Sequence, residues 1–109
     1  MENGSWYAEF EIKYGEDFCW MRVNPEKTRF VSEAYREIEK DHPLYGQKLI
    51  AFAKCEANDD VLFLTELGQF VIIHLTYSKI NKSGYPQYCL FNSQQELEEY
   101  LEKEIQTNR

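Results

Sequence analysis

The residues best suited to acid–base chemistry are the adjacent carboxylates Asp59 and Asp60 and the imidazole of His74, set within FVIIHLTYS (70–78). Imidazole changes charge near neutral pH, and a carboxylate within hydrogen-bond reach can orient it as a proton shuttle. In an extended segment His74 shares a face with Phe70, Ile72 and Thr76, while Val71, Ile73, Leu75 and Tyr77 share the other. Both faces are apolar, which predicts a central strand. A histidine there either bonds a fixed neighbour inside the core or opens onto a pocket beside Thr76 and Ser78. The core reading is preferred, with the ring reaching a neighbouring strand or the connector His42–Tyr45. Asp59 and Asp60 also read as turn residues, because Asn and Asp side chains bond their own backbone.

Further candidates are weaker. HPLYG (42–46) puts His42 and Tyr45 at a helix stop, as a packed connector or, with Thr76, Tyr77 and Ser78, as a binding surface. Cysteine nucleophile chemistry needs a Cys–His pair; Cys89 and His74 would be strand neighbours in one arrangement, though nothing in the sequence requires it. Glycine-rich phosphate loops, nucleophile elbows, zinc-protease motifs and calcium loops are absent from the sequence. With two histidines and no metal-ligand spacing, neither a metal nor a cofactor is expected.

Composition narrows the partners. The 109 residues suit a single domain, 1–109, and 43% hydrophobic content supports a core. A net charge of -7 opposes nucleic-acid or anionic-membrane binding, which needs clustered Lys and Arg. The acid excess lies at the two ends, as a solvated face or as a surface for a basic partner. Cys19, Cys55 and Cys89, odd in number and widely spaced, predict three free thiols in a cytoplasmic protein. The start lacks the pattern of a secretory signal, and the run at 70–77 is too short for a membrane span.

These side chains must be positioned by a small set of elements. YAEFEIKY (7–14) alternates and predicts a strand, paired through a GED turn with FCWMRV (18–23), although a helix through part of it stays open. A helix follows from Asn24 as cap, with Pro25 at its first position and Glu26 at the positive end of its dipole. Its stripe is Phe30, Val31, Ala34, Tyr35 and Ile38, and Pro43 ends it near Asp41. Residues 47–55, 60–66 and 69–77 alternate with period 2 across connections too short for crossovers, hence an antiparallel meander. A fourth strand at 85–92 follows the polar loop SKINKSG. Ser93 and Glu96 make a capping box for a last helix, whose stripe is Leu97, Tyr100, Leu101 and Ile105. The expected class is α+β: an antiparallel sheet with two helices packed on one face.

The motifs HPLYG, NDDVLF (58–63), HLTYS (74–78) and FNS (91–93), the last before an acidic helix, resemble a small family of uncharacterised bacterial proteins. In that family the strand motif more often reads H-L-T-W-S-G; here Tyr77 stands at the tryptophan and Lys79 at the glycine. The resemblance spans roughly residues 42–100 and implies a compact cytoplasmic bacterial protein, without bringing an activity or catalytic residues. In size and charge the chain is also similar to immunity proteins that neutralise toxins. Two functions are compatible with these features. The preferred one is an acidic, tyrosine-bearing interaction module for a basic protein, and the alternative is a small enzyme or ligand binder using a pocket around His74 with Asp59, Asp60 or Tyr77.

Overall fold

The computed structural model describes residues 5–15, 19–24, 26, 28–55, 58–78 and 85–107. Within these, the chain runs α1 (Ser5–Tyr14), β1 (Trp20–Arg22), α2 (Arg29–Glu37), β2 (Leu49–Cys55), β3 (Asp60–Thr65), β4 (Phe70–His74), β5 (Tyr88–Phe91) and α3 (Gln94–Thr107). The strands form one antiparallel sheet in the order β1-β2-β3-β4-β5, so the expected meander extends to five strands and the α+β class holds.

The N-terminal hairpin is corrected. Residues 7–14 are helical, because Tyr7, Phe10 and Tyr14 recur at spacings of three and four and lie together on the sheet. The alternation would instead have placed Ile12 in the core, and Ile12 is 85% exposed. Deprived of that partner, β1 pairs with β2, Trp20 opposite Cys55. The Tyr7 hydroxyl locks the helix to the strand by donating to the Trp20 carbonyl. Glu16, Asp17 and Phe18 of the expected turn and strand, Pro25 of the expected helix start, and 79–84 of the polar loop lie outside the described residues.

The second helix is shorter than its stripe implied. Asn24 does not cap it; its Oδ1 accepts from the Glu26 amide at 2.9 Å in a local turn, and the helix begins at Arg29. It ends at Glu37 rather than near Asp41, because Ile38 turns extended and drops its side chain into the core. Phe30, Ala34 and Ile38 are buried, whereas Tyr35 is exposed.

The helices do not share one face. Tyr7 and Phe10 of α1 and Leu97, Leu101 and Ile105 of α3 cover Leu62, Phe70, Ile72 and Phe91 on one side of the sheet. Phe30, Ala34 and Ile38, with Leu44 from the connector, cover Val61, Phe63, Val71, Ile73 and Leu75 on the other. This explains why β4 is apolar on both faces. Strand β2 changes sides midway. A bulge between Ala51 and Ala53 puts Leu49 and Ala51 in one core and Ala53 and Cys55 in the other.

The cysteine expectation is also overturned. Cys19 and Cys55 are disulfide-bonded with Cα atoms 5.0 Å apart, and Cys89 alone is free. Cys19 precedes Trp20, which faces Cys55 across the ladder, so the β1–β2 register brings the two sulfurs together. Among the described residues no helix is long and apolar enough to cross a membrane.

Candidate functional site

The site is built from the sheet register. On the face that carries α1 and α3, β3, β4 and β5 present side chains in rows. Leu64, Phe70 and Phe91 form one row, then Leu62, Ile72 and Cys89. The next row is Asp60 and His74, with Gln87 beside them, its carbonyl accepting from the His74 amide at 2.9 Å. Leu62, Phe70, Ile72 and Phe91 lie under the helices, Cys89 is exposed at their margin, and the polar row lies at the end of the sheet. Together with Tyr100 of α3 and Tyr88, these residues line a cavity of about 550 Å³: Asp60, Ile72, His74, Gln87 and Cys89.

His74 is therefore not the core histidine that was expected. Its side chain is 52% exposed, and Nδ1 lies 2.7 Å from Asp60 Oδ1. Facing a carboxylate, which only accepts, Nδ1 carries a proton, so in the neutral ring Nε2 is the nitrogen with the lone pair. Nε2 has no partner among the described residues. Asp60 is available to the ring because a neighbour does the work of the turn: Asn58 Oδ1 accepts from the Asp60 amide at 2.8 Å.

The core role assigned to His74 falls to His42. That ring is buried; its Nδ1 accepts from the Leu44 amide at 3.1 Å, which makes Nε2 the donor to the Pro86 carbonyl at 2.9 Å. His42 thus ties the connector to the segment leading into β5, and its ring packs 5.2 Å from that of Tyr88, tilted by 52°.

The other expected residues lie elsewhere. Asp59 stays exposed and lends its carbonyl to the Leu75 amide at 3.2 Å. Thr76, Tyr77 and Ser78 leave the ladder and are organised by Glu37, a fully buried carboxylate on α2 that the sequence analysis did not single out. Glu37 accepts from the Thr76 amide at 2.8 Å, the Thr76 hydroxyl at 3.1 Å and the Tyr77 amide at 2.8 Å. This substitutes for strand pairing and holds Tyr77 at a φ of 57°. Arg36 beside it donates to the Ser78 carbonyl at 2.7 Å and pairs with Glu33, whose carboxyl that guanidinium holds below its ordinary range. Tyr45 is exposed and lines a separate, smaller cavity with Tyr35. Asp60 and His74 thus meet in one site, and His42, Tyr45, Asp59, Thr76, Tyr77 and Ser78 are not part of it.

The cavity also contains residues not expected there. Tyr100 was read as core; it is half-buried, and its hydroxyl donates to Glu104 at 2.9 Å. Burial, that hydrogen bond and the nearby charges of Glu104, Cys89 and Asp60 hold its phenol protonated well above the ordinary range. Gln87 joins through register, and Cys89 lies on the strand beside that of His74, the arrangement the sequence had left open. Among the described residues no three His, Cys, Asp or Glu side chains come together as a metal-binding group. No protein-family model matches the chain, and comparison with curated proteins and with solved structures finds no match.

Proposed function

We propose that the chain binds a small polar ligand in the cavity at the open end of the sheet and acts on it through His74 and Asp60. The observation that carries this reading is the 2.7 Å pair itself, with the second ring nitrogen unoccupied beside a cavity of about 550 Å³. Asp60 fixes the ring's tautomer and orientation and would stabilise the imidazolium once His74 takes a proton. Gln87 and Tyr100 add polar groups to a wall that also includes Ile72, Tyr88 and Cys89. The test is a fragment screen by NMR on the labelled protein. Hits should move the resonances of Asp60, His74, Gln87, Cys89 and Tyr100 together; a screen whose hits all map elsewhere would sink the proposal.

The interaction reading rests on other exposed residues, distributed over both sides of the sheet. Tyr35, Tyr45, Tyr77 and Tyr85 are exposed, and Glu96 and Glu99 of α3 face solvent. These suit a basic protein partner, whose capture should weaken steeply with salt. A cytoplasmic location belongs to the same proposal. The Cys19–Cys55 bond weighs against it, since such bonds persist in oxidising compartments. Trapping thiols at lysis of the native host reads the state of that bond directly.

A further inference from the structure

We propose that Cys89 is the nucleophile of this cavity and that its substrates are acyl esters or thioesters, an inference that rests on the His74–Asp60 reading above. Cys89 faces Ile72 across β4–β5, one row from His74 on the same face. Diagonal neighbours of this kind lie roughly 7–8 Å apart at most between Cβ atoms. The thiol is exposed, free and lines the same cavity. It makes no hydrogen bond among the described residues, so it is able to rotate toward the ring when substrate binds.

The company Cys89 keeps selects the chemistry. A thiol–disulfide exchanger needs a second thiol to resolve its mixed disulfide. Cys19 and Cys55 are bonded to each other at the β1–β2 edge, with Cys55 three strands away from Cys89 in the sheet order. What lies beside Cys89 is a carboxylate-anchored imidazole, and acyl transfer is the thiol reaction that uses one twice. His74 Nε2 takes the thiol proton, and the Cys89 sulfur attacks the acyl carbon. The new C–S bond forms as the bond to the alcohol or thiol leaving group breaks, and the leaving group departs with the proton from Nε2. Water, deprotonated by the same nitrogen, then attacks the acyl-cysteine, and the thiol is restored as the carboxylic acid leaves. Gln87, beside His74 in the polar row, is the amide donor closest in register to the developing oxyanion.

The experiment uses the oxidised 109-residue chain with p-nitrophenyl acetate as probe. It follows p-nitrophenolate release, and intact-mass and peptide mapping locate the acyl group. A burst with the acyl group on Cys89 is expected, abolished in Cys89→Ser and slowed roughly 100-fold or more in His74→Asn. The pH profile of the burst rate should also change in His74→Asn. Both substitutions fall on exposed side chains, and melting curves serve to check that the variants fold. Absence of an acyl adduct on Cys89, or equal rates in wild type and His74→Asn, overturns the nucleophile. The cavity reading is tested apart from this, because Cys89→Ser leaves Asp60 and His74 intact for the fragment screen.

Discussion

The two histidines present opposite solutions to placing an imidazole in a folded chain. His42 has both nitrogens committed, one to the Leu44 amide and one to the Pro86 carbonyl, inside the core. His74 has one nitrogen committed, to Asp60, at a water-accessible rim. Replacing His42 with Ala strands a buried amide and a buried carbonyl, at a cost of roughly 1–3 kcal/mol for each unsatisfied group. His74→Ala should cost well under that, because its partner Asp60 remains in contact with water. Chemical denaturation of the two variants checks the order, and an equal loss would mean that the rim is more tightly packed than its exposure indicates. Glu37 is heavily committed as well, accepting from the Thr76 amide and hydroxyl and from the Tyr77 amide. Its removal strands the Thr76 and Tyr77 amides next to α2, so Glu37→Ala should lose roughly 3 kcal/mol or more. Glu37→Gln should fall in between, since its amide nitrogen donates where a carboxylate oxygen accepted. Faster hydrogen exchange at Thr76 and Tyr77 in both variants would be the local signature.

At the scale of elements, α3 shows how far local signals reach. The Ser93 hydroxyl accepts from the Glu96 amide at 3.2 Å, and the Glu96 carboxylate accepts from the Asn92 amide at 3.0 Å, one residue before the expected partner. The stripe docks as its spacing indicates, with Leu97, Leu101 and Ile105 buried. Leu101→Ala is expected to cost ~2 to 5 kcal/mol. Glu98→Ala should be nearly neutral, since Glu98 meets only the Gln94 amide of its own helix among the described contacts. Matching melting temperatures for the two variants would contradict the docking. Helix α1 is the counterexample. In YAEFEIKY, alternation and helical spacing select different faces of the same residues, and which face is buried depended on a sheet surface formed by residues 53–91.

Over the whole molecule, the disulfide and the two-sided core set the response to redox and pH. Titrating thiols in the denatured, unreduced protein should count one, Cys89, where the unpaired spacing had implied three. Reduction removes a cross-link between residues 36 apart in sequence. In the chain-entropy picture this lowers stability by about 4 kcal/mol, read as a shift in the denaturation midpoint. Alkali should also destabilise the fold. The Tyr7 phenol, buried against β1, and the Tyr100 phenol, beside Glu104, are both raised above their ordinary 10.0. Folding therefore favours their protonated forms. That contribution is complete below pH 10.0 and is lost as pH climbs toward the raised values. Tyr7→Phe should flatten the alkaline limb of the stability curve, and an unchanged limb would remove Tyr7 as its source.

What the amino-acid order determined by itself is what depends on near neighbours along the chain. Period-2 alternation with short connections specified antiparallel strands, and it assigned Phe70 and Ile72 to one face and Val71 and Ile73 to the other, as the two cores confirm. Ser93 and Glu96 marked the start of the last helix. The tertiary structure decided everything that needs one segment to know where another lies. Register set Asp60 opposite His74 and placed Cys89 one row away; a slip of one residue would have turned each to the opposite face. Two helices left the polar row at the rim of the sheet uncovered, which made His74 a cavity residue while His42 took the core. The bulge at Ala51/Ala53 moved half of β2 between cores, and β1–β2 pairing joined Cys19 to Cys55. Each of these is a contact between residues distant in sequence. Its free energy comes from burying surface or satisfying a hydrogen bond against a partner that no local pattern specifies.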